Sequence, residues 1–157
     1  PVLVGLPAAT ATVDCENIPA APAVTATDNC DSDVPVDYTE DVQVTDGCGT
    51  ITRTWTAVDA CGNEVEFVQV ITVEDTEAPV LVGLPAATAT ADCDNIPAAP
   101  AVTATDNCDT DVTATLSNTE AGQGNSDCSW SFTYTYTVSD NCGNTVSATV
   151  TRSGGDT

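Results

Sequence analysis

The sequence predicts an all-β fold: tandem immunoglobulin-like β-sandwich repeats stapled by disulfides. Three observations carry this. The chain of 157 residues repeats itself, its apolar residues alternate with a period of two, and its eight cysteines fall as four per copy. Residues 1–12 return unchanged as 79–90. Asp14-Cys15-Glu16-Asn17-Ile18-Pro19 returns as Asp92-Cys93-Asp94-Asn95-Ile96-Pro97, and Thr27-Asp28-Asn29-Cys30-Asp31 as Thr105-Asp106-Asn107-Cys108-Asp109. Val58-Asp59-Ala60-Cys61-Gly62-Asn63 returns with Ala60 facing Asn141 of Ser139-Asp140-Asn141-Cys142-Gly143-Asn144. Such duplication places one repeat at 1–78 and a second at 79–157, and tandem copies of one unit serve length, reach or display. In that phase Thr157 aligns with Thr76, so the chain ends only about two residues short of a third start, which predicts a segment of a longer array.

Each strand has a local reason. Val2–Leu6, Thr10–Cys15, Val24–Thr27 and Val36–Val44 are short runs rich in Val and Thr, residues that suit a pleated, half-buried surface. Thr50–Ala57 puts Ile51, Arg53, Trp55 and Ala57 on one face and threonines on the other. Its second copy, Ser129–Val138, puts aromatics on that face. Val65–Val73 is a further β-branched run. Pro7, Pro19, Pro22, Pro35 and Cys61-Gly62-Asn63 punctuate these runs as turns or edges. No amphipathic helix of useful length can be drawn. Six or seven short strands per repeat argue for an immunoglobulin-like sandwich. Arg53, beside Trp55 on the apolar face, is expected at a rim, its stem packed and its guanidinium stacked on the indole.

Units this small bury a small fraction of their surface and are marginal without staples. Aromatic residues make up only 4% of the chain, so the core is thin. Cysteines at repeated positions read as a disulfide framework formed in an oxidising compartment; without a Cys-x-x-Cys pair or a histidine, structural zinc is a poor alternative. In an immunoglobulin-like topology the loop after the second strand and the loop after the penultimate one share an end. That suggests Cys15–Cys61 and Cys30–Cys48 in the first repeat, then Cys93–Cys142 and Cys108–Cys128 in the second.

The formal net charge is −22, with two arginines, no lysine and no histidine. Nucleic acid is excluded as a partner, because nothing here neutralises phosphates, and anionic membrane surfaces for the same reason. No run of about 18 apolar residues offers a membrane span. Clustered carboxylate and amide oxygens suit a hard cation instead. Asp28, Asn29, Asp31 and Asp33, repeated as Asp106, Asn107, Asp109 and Asp111, present alternate oxygens as calcium loops do. Val34 and Val112 stand where an EF-hand needs glycine, so this is not that motif, and an Asx-rich turn satisfied by its own backbone is the competing reading. Catalysis has little support without histidine, lysine or a glycine-rich phosphate loop, and the chain is expected not to be an enzyme.

The segments Ala26-Thr27-Asp28-Asn29 and Trp55-Thr56-Ala57-Val58-Asp59-Ala60-Cys61-Gly62-Asn63, with the linker Val73-Glu74-Asp75-Thr76-Glu77-Ala78-Pro79, resemble the hyalin-repeat (HYR) family in its Cys-rich variant. The second repeat departs from this pattern, with Gly154-Gly155 in place of Val73-Glu74 and an insertion around residues 122–127. The resemblance implies arrays in giant secreted bacterial proteins, of Bacteroidetes type, that act as stalks of surface adhesins or as matrix fibres. The acidic linker also resembles those between cadherin-like and bacterial immunoglobulin-like repeats. That likeness implies an interdomain calcium held by Glu74 and Asp75 together with Asp140 and Asn144 of the next repeat. The function expected is therefore a structural module of an extracellular stalk, adhesin or filament, rigidified by calcium. Its partners are neighbouring repeats of the same chain, with self-association into a filament. A carbohydrate- or protein-binding module using exposed Trp55, Trp130 or Tyr134 is the alternative.

Overall fold

The computed structural model describes residues 1–86, 88–91, 98–120 and 130–155. The chain forms two compact units, Pro1–Thr76 and Glu77–Thr157, and each is an all-β sandwich.

In the first unit the strands are β1 (Val2–Val4), β2 (Thr10–Asp14), β3 (Thr25–Thr27), β4 (Val36–Thr45), β5 (Cys48–Val58) and β6 (Glu64–Glu74). A single 3-10 turn, Cys15–Asn17, follows β2, capped by the Asp14 carboxylate accepting from the Glu16 amide. One sheet runs β2-β6-β5-β4 and the other pairs β1 with β3. Strand β2 lies parallel to β6, with Asp14 opposite Glu74, whereas β4, β5 and β6 are antiparallel neighbours. The β4–β5 hairpin turns at Asp46-Gly47, both at positive φ (46° and 88°), the pairing that a tight primed turn demands.

Alternation along β5 decides the layers. Ile51, Arg53, Trp55 and Ala57 are buried while the residues between them are not, so one face of the sheet meets the core and the other meets water. Leu3 and Ala26 of the small sheet pack with Trp55, Ala57, Val34, Val65 and Phe67. Ile51, Ile71 and Val73 pack with Ala11, Val13, Cys15 and Val44 towards the other end. Trp55 is the hub: its ring centroid lies 5.3 Å from Tyr38 and 6.1 Å from Phe67, a range that favours tilted aromatic pairs.

Arg53 corrects the expectation of a rim position. It is only 4% exposed; its Nε donates to Glu40 Oε2 at 2.6 Å and its Nη2 to the Pro19 carbonyl at 2.7 Å. A guanidinium on the core face is tolerated because a carboxylate and a carbonyl satisfy it, which a bare apolar pocket could not do. Tyr38 donates to the same Glu40 oxygen at 2.8 Å, and both donors hold the Glu40 carboxyl below its ordinary value, the arginine bond contributing most.

The second unit repeats the plan with β7 (Val80–Val82), β8 (Thr88–Ala91), β9 (Thr103–Thr105), β10 (Thr115–Glu120), β11 (Trp130–Ser139) and β12 (Thr145–Gly154). Its sheets are β10-β11-β12-β8 and β7-β9. Tyr134, Tyr136 and Val150 form its core with Leu81, Ala99, Val102 and Phe132. Tyr134 takes the place of Arg53, and Tyr136 reaches with its hydroxyl to the Pro100 carbonyl at 2.7 Å. Burial holds that hydroxyl in its protonated form by raising its pKa.

Candidate cation site and the disulfide framework

At one end of the first unit, the loop after β3 meets the β5–β6 loop. Each loop is folded by an aspartate that accepts hydrogen bonds from its own backbone, the Asx turn that short acidic segments favour. Asp28 Oδ1 accepts from the amides of Cys30 (2.9 Å) and Asp31 (3.1 Å), and Asp31 Oδ1 accepts from Asp33. In the facing loop, Asp59 Oδ1 accepts from the amides of Cys61 and Asn63, and Asp59 Oδ2 from Asn63 Nδ2 at 2.6 Å. Gly62 sits at φ 85°, which lets this turn close. The two loops are tied by the Ala60 amide donating to Asp31 Oδ2 at 3.1 Å.

The second unit reproduces this. Asp106 Oδ1 accepts from Cys108 and Asp109, and Asp109 Oδ1 accepts from Asp111. Asp140 accepts from Asn144 through both the backbone and the side-chain amide. The Asn141 amide donates to Asp109 Oδ2, again at 3.1 Å.

In the first unit these loops enclose an open cleft of about 540 Å³ lined by Asp28, Asp31, Asp59, Asn63 and the two cysteines Cys30 and Cys61. Hydrogen bonds from the Cys30 and Asp31 amides lower the Asp28 pKa, that from Cys30 most. Asn63, through its side chain and then its backbone, lowers that of Asp59. Both carboxylates are thus held in the charged form that a cation requires. In the second unit Asp106 Oδ2 is buried with no hydrogen-bond partner.

Of the residues singled out from sequence, Asp28, Asn29 and Asp31 share the first cleft, and Asp109 meets the Asp140 loop in the second unit. Asn29, Asp33, Asn107 and Asp111 are exposed. Glu74 is the exposed last residue of β6, and Asp75 follows it. Asp59 was missed by the sequence reading. The signal was available, since Asp59-Ala60-Cys61-Gly62-Asn63 has the same spacing as Asp140-Asn141-Cys142-Gly143-Asn144.

The disulfides correct the expected pairing. Cys15 and Cys48 are disulfide-bonded, whereas Cys30 and Cys61 are free thiols, so neither Cys15–Cys61 nor Cys30–Cys48 is present. The reason is the direction of β2. Because β2 runs parallel to β6, Cys15 lies at the far end of β6, beside Glu74, while Cys61 precedes its first residue, Glu64. An eleven-residue strand spans about 35 Å, and a disulfide tolerates a Cα separation of about 7 Å at most. Likewise Cys48 opens β5, and Cys30 lies by the loop that follows it. Cys108 and Cys142 are disulfide-bonded. Cys93 and Cys128, expected to pair with Cys142 and Cys108, lie outside the described residues.

The aromatic residues proposed for ligand binding belong to the core: Trp55, Trp130 and Tyr134 are 2%, 6% and 5% exposed. The alternative of a binding face built from them is set aside, because their rings are buried. Among the described residues no helix is long and apolar enough to cross a membrane.

No curated protein matches the chain. The family model described as "HYR-like domain with 4 cysteines" matches it twice, over residues 5–73 and 83–153, so each match takes in one sandwich with its cysteines and paired acidic loops. On that coverage the chain belongs to the HYR-like four-cysteine domain family, as two tandem copies.

Proposed function

We propose that this chain is a structural segment of a secreted bacterial stalk, surface adhesin or filament, in which each sandwich is a non-catalytic spacer stiffened by disulfides and calcium. HYR-like repeats are typically extracellular adhesion-type modules, and the chain's construction agrees with that role. The observation that carries the reading is duplication of the scaffold together with its loop lashings. Asp31–Ala60 and Asp109–Asn141 are tied at the same 3.1 Å, and the large aromatics are spent on cores. A chain whose copies preserve the means of holding loops still, and expose no aromatic row, is suited to bearing load and spacing other domains.

Calcium would occupy the acidic cleft of the first unit, with Asp28, Asp31 and Asp59 as its carboxylates, and the matching loops of the second, with Asp106, Asp109 and Asp140. Glu74 and Asp75 are further candidates. The support is charge. At −22 the chain gains most where carboxylates converge, as Asp28, Asp31 and Asp59 do around the first cleft. Binding to the folded form alone raises stability by mass action. The test is small-angle scattering and calorimetric titration of the chain, in calcium and in chelator. Saturable heat with a longer maximum dimension in calcium is expected. No heat and an unchanged dimension would remove calcium from the reading, and a compact, collapsed particle in both conditions would remove the spacer.

A further inference from the structure

The outward face of the second unit's large sheet differs from that of the first in one systematic way. On β11 and β12 every odd-numbered position from 131 to 139 and from 145 to 153 is serine or threonine. The register sets these opposite one another, Thr135 with Thr149 and Thr137 with Ser147, on the side away from buried Tyr134, Tyr136 and Val138. Strand β10 adds Thr115, opposite Thr137. The first unit, at the equivalent places, carries Glu64 and Glu66 on β6 and Asp37 on β4, with exposed Val68 and Val70. Carboxylates and valines have both given way to hydroxyls, so the change serves neither solubility nor apolar burial. Among the described residues of β11 and β12 this face has no charged side chain.

We infer that this hydroxyl face is a self-association surface whose partner is the same face of a second copy of the chain. Two copies carrying −22 each repel wherever carboxylates approach, with a reach of about 8 Å at physiological salt. A neutral face lets them touch. It is also self-complementary, as a two-fold contact requires, because every hydroxyl both donates and accepts. The lattice is ordered: Thr137 Oγ1 lies 2.8 Å from Ser147 Oγ, Ser139 Oγ lies 2.7 Å from Thr145 Oγ1, and Thr115 donates to the Thr137 carbonyl at 2.9 Å. Little side-chain freedom is therefore lost on contact.

The size predicts the strength. The ten-residue strands β11 and β12 are about 33 Å long and the six-residue β10 about 20 Å, and the three side by side span about 14 Å. The pair would bury on the order of 800 Å², below the roughly 1,200 Å² of a stable interface. One face gives a weak contact, and an array repeating it gives lateral cohesion by multivalency. The inference deepens the filament reading and rests on it, but its test reads a different quantity from the scattering experiment.

The experiment is sedimentation of the whole chain from about 10 μM to about 1 mM, the range in which so small a contact should populate. Wild type should shift towards twice its mass at the top of the range. Thr135→Asp/Thr149→Asp should stay single with an unchanged circular dichroism spectrum. Thr54→Asp, at the matching position of the first unit, should behave as wild type. If the double variant does not fold, Thr149→Glu alone, at an exposed β12 position, repeats the test. A wild-type chain that stays single throughout overturns the inference, as does an aspartate variant that associates equally well. Retention on a neutral polysaccharide without self-association also overturns it and gives the face to a glycan.

Discussion

Joining Cys30 to Cys61 should change the first unit more than any other single bond within it. Both thiols line one cleft, and their loops are tied by Asp31 and Ala60 at 3.1 Å. Their counterparts Cys108 and Cys142 are both disulfide-bonded. We therefore expect the oxidised unit to carry Cys30–Cys61 beside Cys15–Cys48, the bridge forming by exchange with an external disulfide that leaves as two thiols. The perturbation is Cys30→Ser/Cys61→Ser. The closed loop holds roughly 30 residues, so on the chain-entropy model the bridge is worth about 3–4 kcal/mol. Loss of the sulfur atoms themselves costs little, since both side chains are exposed and no cavity is left. The Asp31–Ala60 hydrogen bond that remains contributes only about 1 kcal/mol. For a domain of this size the loss lowers the unfolding midpoint by on the order of 20 °C. The assay is differential scanning calorimetry of oxidised wild type and variant, with peptide mapping under non-reducing conditions. A map containing Cys15–Cys61 or Cys30–Cys48 peptides, or a midpoint that does not move, would refute the reasoning.

Other predictions follow from particular residues. Gly49→Ala should destabilise the first unit by about 2 kcal/mol or more, read by urea denaturation, because a Cβ at its φ of 149° would lie 1.9 Å from the Gln43 carbonyl oxygen. Trp55→Ala should cost about 3–5 kcal/mol, since it removes the hub between Tyr38 and Phe67; the same measurement checks it. Asp28 and Asp59 have folded pKa values below the ordinary 3.8, so their stabilisation is complete above pH 3.8 and is lost as pH falls through the lower folded values. Unfolding midpoints from pH 7 to pH 2 should therefore show wild type and Asp59→Asn converging only in acid, and curves that stay parallel would show that Asp59 does not contribute this way. Asp59→Ala should also weaken calorimetric calcium binding at the first cleft at least tenfold, while Asp33→Ala, at an exposed position, should leave it within about twofold.

Much of this protein was legible in its sequence, because its information is local. Period-two alternation placed β5 and β6 within a residue or two, since a strand half in water must alternate. Duplication gave the number of units, and the even cysteine count pointed to staples, of which the first unit bonds Cys15 and Cys48 and leaves Cys30 and Cys61 free. What tertiary structure alone decided depends on which strand lies beside which. The disulfide pairing turned on β2 running parallel to β6, a direction that no residue of β2 encodes by itself and that moves Cys15 from one end of the sandwich to the other. The fate of Arg53 turned on Glu40, which reaches it across the β4–β5 register, and on the Pro19 carbonyl from a distant loop. Alternation read Arg53 as facing inward but could not supply the partners that make burial of a charge tolerable. The acidic cleft lies between these cases. Each Asx turn is written in its own few residues, but their meeting is a property of the fold, because Asp31 and Ala60 are brought together only once β3 and β5 lie in facing sheets.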